Sequence, residues 1–149
     1  MQRASGPILA LDPGRVRIGL ALSDALRLAV RPLAPLRTAG KKADVSRIAD
    51  LVRQHAVTTV IVGLPLHMSG EAGAAAATAQ RLAGRLRAGL AGVDVQLWDE
   101  RLTTVEAERT LIEAGMSRRV RRERIDGAAA VLILESYLAA GRSGPEPIP

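Results

Sequence analysis

Hydrophobic and polar positions along the chain fall into short segments that predict strands in the N-terminal part. The apolar run at residues 8–11 ends at Asp12 and a Pro-Gly pair, and residues 18–23 then alternate between large apolar and small side chains. Two such runs separated by a Pro-Gly turn predict a β-hairpin. A third alternating run, residues 26–30, predicts a further short strand that ends before Pro32.

Helical spacing replaces alternation in the middle of the chain. Residues 32–40 contain two prolines and a glycine and predict a loop, whereas apolar positions within residues 41–56 recur at helical spacing and predict a helix. The segment 58–63, TTVIVG, is apolar and β-branched without alternation, which is typical of a strand covered on both faces. A second helix is predicted over residues 71–90, and another strand over residues 93–98.

The C-terminal third predicts two helices separated by a loop. Thr103 and Glu106 have the spacing of a capping box, so a helix is expected to begin there and to end at Gly115. The arginine-rich segment that follows is predicted to be a mobile loop, and a final helix is predicted to open at Asp126. Residues 142–149 are polar and rich in proline, and they predict a flexible tail.

These elements predict an α/β fold in the order β-β-β-α-β-α-β-α-α. A helix followed by a buried strand implies parallel pairing, so we expect a mixed sheet with helices on both faces. The loop at residues 64–70 would lie at the carboxyl end of a strand, where ligands of open α/β sheets bind. No repeat divides the chain, and residues 1–141 are predicted to form one domain.

Composition excludes several classes of protein. The chain has 149 residues, of which 48% are apolar, and this is enough for one domain with a real core. Cysteine is absent, which excludes disulfides, thiolate metal sites and a cysteine nucleophile. No apolar run approaches the roughly 18 residues of a membrane span, and no signal-peptide pattern begins the chain. We therefore expect a cytoplasmic protein without a membrane partner.

The positive net charge favours an anionic binding partner, and nucleic acid is the first candidate. The net charge is +6, from 21 Lys and Arg against 15 Asp and Glu. Much of the excess lies in one segment, at Arg118, Arg119, Arg121, Arg122 and Arg124. The chain has one Trp, one Tyr and no Phe, so few aromatic side chains are available to stack on unpaired bases. We therefore expect the protein to recognise the shape and the sugar-phosphate backbone of a nucleic acid.

Three acidic residues stand where predicted strands end or helices begin: Asp12, Glu100 and Asp126. The first strand of a mixed sheet is usually central, so these carboxylates are expected to converge. Oxygen ligands alone suit Mg²⁺ or Mn²⁺. Two such ions about 4 Å apart can activate a water and stabilise the leaving oxygen of a phosphodiester.

Each of these residues also has a purely structural interpretation. Asp12 before Pro-Gly is a common turn residue, and Asp126 suits the N-terminus of a helix by its charge alone. Asp99 or Glu100 could pair with Arg101, and adjacent strand residues face opposite sides, so the sequence leaves open which of the two points inward. The metal-site hypothesis therefore rests on the three carboxylates taken together, not on any one of them.

Four segments resemble the signature blocks of the YqgF family, in the same order and at similar spacing. They are LDPGRVRIGLALSD, VGLPLHMSG, DERLTTVEAER and IDGAAAVLILESYL, and the resemblance covers about residues 8–140. It implies a ribonuclease-H-like fold related to the RuvC resolvases. It also implies that the catalytic, metal-binding residues are Asp12, Glu100 and Asp126, with Mg²⁺ or Mn²⁺ as the cofactor.

The resemblance implies a metal-dependent endonuclease acting on structured nucleic acid. Maturation of the 16S ribosomal RNA precursor, within a ribosomal precursor particle, is the expected role. The alternatives are a Holliday junction resolvase acting on branched DNA, and a non-catalytic ribosome-assembly or transcription factor. The residues expected to contact phosphates are Arg15, Arg17, Arg101, Arg118, Arg119, Arg121 and Arg122. A junction resolvase would act as a homodimer, whereas RNA trimming requires only a monomer.

This chain departs from the family pattern at three places. Arg15 and Arg17 stand where the family often has a Lys-Arg pair, and His67 stands where an asparagine is common. Relatives of the fold often use a fourth carboxylate, for which Asp24 and Asp99 are the candidates.

Actin-like and sugar-kinase-like nucleotide binders also carry Asp-x-Gly on a first hairpin, but they need a second domain for which 149 residues leave no room.

Overall fold

The computed structural model describes residues 5–66, 69–102 and 118–143, and for residues 102, 118–127, 142 and 143 it describes the backbone alone. The predicted helix over residues 103–115, His67 and the tail beyond residue 143 lie outside the described residues. Within these ranges the chain forms one mixed sheet flanked by α-helices. No helix in the described part combines the length and apolarity needed to cross a bilayer.

Among the described residues, five strands form the sheet in the order β3-β2-β1-β4-β5. They are β1 (Ile8–Pro13), β2 (Arg17–Ser23), β3 (Val30–Arg37), β4 (Thr59–Leu64) and β5 (Asp94–Asp99). β1 pairs antiparallel with β2 and parallel with β4, and β4 pairs parallel with β5. The predicted hairpin and the predicted parallel pairing are both present, and β1 is the central strand.

Helices cover both faces of this sheet, as predicted. They are α1 (Lys41–Gln54), α2 (Ala74–Gly89) and α3 (Arg118–Ser143). On one face, Leu9 and Leu11 of β1 belong to the core formed with α1 and α2. On the other face, Ile8 and Ala10 pack with α3. Because strand side chains alternate between faces, the next residue of β1 on the α3 face is Asp12.

The third strand lies later in the chain than predicted. It spans Val30–Arg37 instead of residues 26–30 and includes Pro32 and Pro35. As an edge strand, β3 leaves one side unpaired, so the missing N–H of proline is tolerated. The predicted strand is instead a turn, in which Arg27 has a φ of 60°.

The predictions of an arginine-rich mobile loop and of a helix opening at Asp126 are wrong. The backbone is helical from Arg118 onward, so Asp126 lies within α3 rather than in its first turn. No glycine or proline stands between residues 118 and 126 to interrupt a helix, and arginine is a good helix former. The side chains of Arg118, Arg119, Arg121, Arg122 and Asp126 lie outside the described residues.

Candidate active site

The register of the sheet brings Asp12 beside Gly63. Leu11 of β1 pairs with Val62 of β4 in parallel, and the next residues on the two strands are Asp12 and Gly63. Neighbouring strands lie about 4.8 Å apart, so only this spacing separates the aspartate backbone from the glycine. Asp12 is half-buried, at the carboxyl end of the central strand and on the face that α3 covers.

Glu100 reaches over the same glycine from the other side. It follows β5 in a single 3-10 turn, Glu100–Leu102. A Cβ built on Gly63 would lie 3.1 Å from Glu100 Oε2 and 2.7 Å from Ile133 Cδ1 of α3. The Glu100 carboxylate therefore lies on the α3 face, as Asp12 does by strand alternation. The absence of a side chain at Gly63 leaves room for the Glu100 carboxylate beside the strand position of Asp12.

Asp99 and Glu100 face opposite sides of the sheet, which answers the question that the sequence left open. Asp99 is buried and pairs with Arg101, which donates from Nη2 to Asp99 Oδ2 at 2.7 Å and from its backbone N–H to Oδ1 at 2.9 Å. Burial by itself would raise the pKa of Asp99. The Arg101 hydrogen bonds and charge outweigh burial and hold that pKa below its usual range.

These contacts remove both candidates for a fourth carboxylate. The Asp99 carboxylate is engaged by Arg101 on the far side of β5 from Glu100. Asp24 stands just after β2, at the opposite end of the sheet from Asp12. Its Oδ1 accepts the N–H groups of Leu28 and Ala29 at 2.7 and 2.9 Å, so it closes the β2–β3 turn.

The described side chains contain no group of three carboxylate or histidine side chains that could hold a metal ion. Asp126 is the predicted third member, and the structure describes only its helical backbone. Its role as a ligand stays a prediction. Asp12 and Glu100 are the two members that the described structure brings to one place.

The predicted phosphate-binding arginines with described side chains lie at the same end of the sheet as Asp12. Gly14 N–H donates to the carbonyl of Arg17 at 2.8 Å and closes the hairpin turn that carries Arg15. Both arginines are exposed. Arg101 is paired with Asp99 and places Nη1 3.4 Å from where a Cβ of Gly70 would lie, so it also borders the loop after β4. Phosphate binding by all three stays a prediction.

Sequence reasoning did not single out Gly63 as a functional residue. A signal was available, because glycine within an otherwise β-branched strand marks a close approach by another group. The neighbouring residues of β4 are Val60, Ile61 and Val62, all fully buried. What the sequence alone does not supply is the identity of the approaching group, which depends on where the chain goes after β5.

A family model described as RuvX, Holliday junction resolvase, matches residues 6–140. Curated relatives provisionally named pre-16S rRNA nucleases are similar over most of their length. The protein of Pelotomaculum thermopropionicum is 48% identical over 132 residues, which are 88% of this chain and 85% of the relative. The protein of Myxococcus xanthus is 46% identical over 134 residues, which are 90% of this chain and 88% of the relative.

Among solved structures, the chain resembles T. thermophilus RuvC in complex with a Holliday junction substrate. The TM-score is 0.61 at 16% identity, over 96% of this chain and 99% of that chain. A second Thermus thermophilus RuvC structure gives a TM-score of 0.53 at 16% identity, over 95% of this chain and 99% of that chain. These similarities confirm the predicted ribonuclease-H-like fold.

Proposed function

This chain belongs to the RuvX family, whose model spans residues 6–140, and we propose that it is a divalent-metal-dependent endonuclease acting on structured nucleic acid. The observation that carries the proposal is that the Glu100 carboxylate lies over Gly63, the glycine beside Asp12 in the sheet. Glu100 Oε2 lies 3.1 Å from where a Cβ of Gly63 would stand, and the neighbouring strand places Asp12 next to that glycine.

The donor set fits Mg²⁺ or Mn²⁺. Asp12 and Glu100 offer only carboxylate oxygens, the chain has no cysteine, and hard divalent cations prefer oxygen. Asp12 and Glu100 are both half-buried, and neighbouring carboxylates repel, so a cation between the two would stabilise their charged forms. When bound, such ions stabilise the charge that develops on a phosphodiester during hydrolysis.

We assign the third ligand to Asp126 from its position in α3. It stands three and four residues before Ala129 and Ala130, which are buried against the sheet. Positions at these spacings share one face of a helix. Ile133, which contacts the space above Gly63, belongs to the same face one further turn along the helix.

The arginines around this site are assigned to the phosphates of the substrate. Arg15 lies in the hairpin turn that follows Asp12, and Arg17 begins the next strand. A guanidinium can hold a phosphate through two parallel hydrogen bonds. Arg101 holds its guanidinium against Asp99, so it is oriented before substrate binds. Four arginines of α3 would add contacts to the sugar-phosphate backbone of the substrate, and these contacts would weaken as the salt concentration rises. They are Arg118, Arg119, Arg121 and Arg122.

We propose the precursor of 16S ribosomal RNA as the substrate, cleaved in the cytoplasm within a ribosomal precursor particle. The names of the curated relatives support this choice. Resolution of Holliday junctions is the second candidate, because the family description names it and a RuvC of the same fold is seen with a junction. A monomer suffices for the first role, whereas the second requires a homodimer.

The proposal is tested by cleavage of two substrates, a precursor ribosomal RNA fragment and a four-way DNA junction, with Mn²⁺ and with chelator. The wild type should cut the RNA only with metal, and Asp12→Asn should bind it without cutting. Asp24→Asn is the matched control, because it removes a carboxylate charge at the far end of the sheet. Preferential cutting of the junction would favour the second candidate, and equal cutting by Asp12→Asn would refute the metal-site mechanism.

A further inference from the structure

A group of exposed cations lies at the end of the sheet, beyond the predicted site. The N–H of Thr38 donates to the carbonyl of Val16 at 2.8 Å and joins the β1–β2 turn to the segment that leads into α1. Five basic residues flank this hydrogen bond or follow it within the first turn of α1. They are Arg15, Arg17, Arg37, Lys41 and Lys42, and we call them the basic edge.

The register places the two arginines of the strands side by side. Arg17 of β2 pairs with Arg37 of β3, and all five residues of the basic edge are exposed. The acidic residue nearest in sequence is Asp44, whose Oδ1 accepts the N–H of Ala39 at 2.9 Å. The basic edge therefore carries five positive charges on exposed side chains, three on the hairpin turn and the strands and two on α1.

Lys41 and Lys42 occupy positions that are unfavourable for the helix itself. They are the first two residues of α1, where the N–H groups and the helix dipole already concentrate positive charge. Gly40 precedes them without a side-chain capping hydrogen bond. The two lysines therefore oppose the stability of α1, and the described residues give them no contact that compensates. Residues that disfavour the fold locally are expected at functional positions, and for two lysines that function is binding an anion.

We propose that the basic edge binds the sugar-phosphate backbone of a base-paired arm of the substrate, on the β3 side of the cleaved bond. This proposal rests on the proposed nuclease function and extends it. Two strand spacings, roughly 10 Å, separate β1 from β3, so Arg37 and the two lysines extend the phosphate contacts assigned to Arg15 and Arg17 to phosphates farther from Asp12. The single Trp and the single Tyr pack beneath α3, so no aromatic side chain is available at the edge to stack unpaired bases.

Binding of two fluorescein-labelled RNAs, measured by anisotropy in chelator, tests this proposal. One RNA is a hairpin with a long base-paired stem, and the other is an unstructured single strand of equal length. For the hairpin, Lys41→Gln/Lys42→Gln should weaken binding about tenfold at moderate salt and reduce the slope of log K against log salt by roughly 2. The melting temperature should stay the same or rise, because the lysines oppose the helix dipole.

Two arginines of β3 provide the matched control. Arg37→Gln should weaken hairpin binding, whereas Arg31→Gln, an exposed arginine at the other end of the same strand, should not. Unchanged hairpin binding by the lysine variant, or equal losses for Arg37→Gln and Arg31→Gln, would overturn the proposal. An equal loss for the single strand would overturn the assignment to a base-paired arm.

These outcomes are separable from failure of the nuclease proposal, because binding is measured without metal and without cleavage. If Asp12→Asn cut as well as the wild type, the catalytic assignment would fail while the binding data kept their meaning. If the wild type cut with metal and Asp12→Asn did not, a lysine variant that bound normally would refute the basic edge alone.

Discussion

Gly63 and Glu100 are placed so that the missing side chain of the glycine makes room for the carboxylate of the glutamate. A Cβ at Gly63 would lie 3.1 Å from Glu100 Oε2 and 3.5 Å from its Cδ. Asp12 occupies the adjacent position on the neighbouring strand. The metal site that we propose therefore depends on a small residue near the end of β4 as much as on the acidic residues.

Replacing Gly63 with alanine should impair both stability and cleavage. The new methyl group would lie 2.7 Å from Ile133 Cδ1 as well as against Glu100. Overpacking a filled core of this kind costs about 1–3 kcal/mol, and displacing a catalytic group by about 1 Å can lower the rate about 100-fold. Thermal unfolding and cleavage of a precursor RNA measure the two effects. Gly84→Ala on α2, where a Cβ meets nothing within 4 Å, should leave cleavage unchanged.

The two clashes at Gly63 can be separated. Ile133→Val removes Cδ1 and alone should cost about 0.5–1.5 kcal/mol. In Gly63→Ala/Ile133→Val the alanine methyl group has room beside α3 but still contacts Glu100. The double variant should therefore be more stable than Gly63→Ala, while its cleavage activity should stay low. If cleavage recovered in parallel with stability, the effect of the alanine would be one of packing, and the link to Glu100 would be wrong.

The pair between Asp99 and Arg101 should make stability depend on pH in acid. Because the pKa of Asp99 is lowered in the folded chain, its contribution is present above the ordinary aspartate pKa and is lost as the pH falls through the lowered value. Asp99→Asn should therefore destabilise the protein by about 1–3 kcal/mol at neutral pH. This difference from the wild type should shrink below about pH 4. Denaturant unfolding across this range provides the measurement, and a penalty independent of pH would contradict it.

Ser136 should stabilise the contact between α3 and β5 without affecting catalysis. Its Oγ accepts the indole N–H of Trp98 at 3.2 Å, and Trp98 is fully buried with its ring edge-on to Tyr137. Ser136→Ala leaves that donor without this acceptor and should cost about 1 kcal/mol. Trp98 is the single tryptophan, so its fluorescence follows the unfolding directly. A large loss of cleavage in this variant would contradict a purely structural role.

Much of the fold follows from local patterns in the sequence. The hairpin at Asp12, the buried strand ending at Gly63 and two of the helices lie within a few residues of their predicted bounds. The parallel pairing of β4 could be inferred from the helix that precedes it. These features depend on periodicity and on turn residues, which are local properties of the chain.

The errors concern properties that the sequence alone does not contain. Pro32 predicts the end of a strand by its missing N–H, whereas an edge position makes proline acceptable within β3. The arginines before Asp126 suggested a loop, although nothing in residues 118–126 breaks a helix. The choice between Asp99 and Glu100 required knowledge of which face α3 covers, because the two alternate along one strand.

The most direct test of the central claim is Mn²⁺ binding to the protein without substrate, followed by electron paramagnetic resonance. The wild type and Asp24→Asn should bind the ion with equal affinity, whereas Asp12→Asn and Glu100→Gln should each weaken it at least tenfold, since each removes one charged ligand. Equal Mn²⁺ affinity in all four proteins would contradict the claim that Asp12 and Glu100 form a metal site across Gly63.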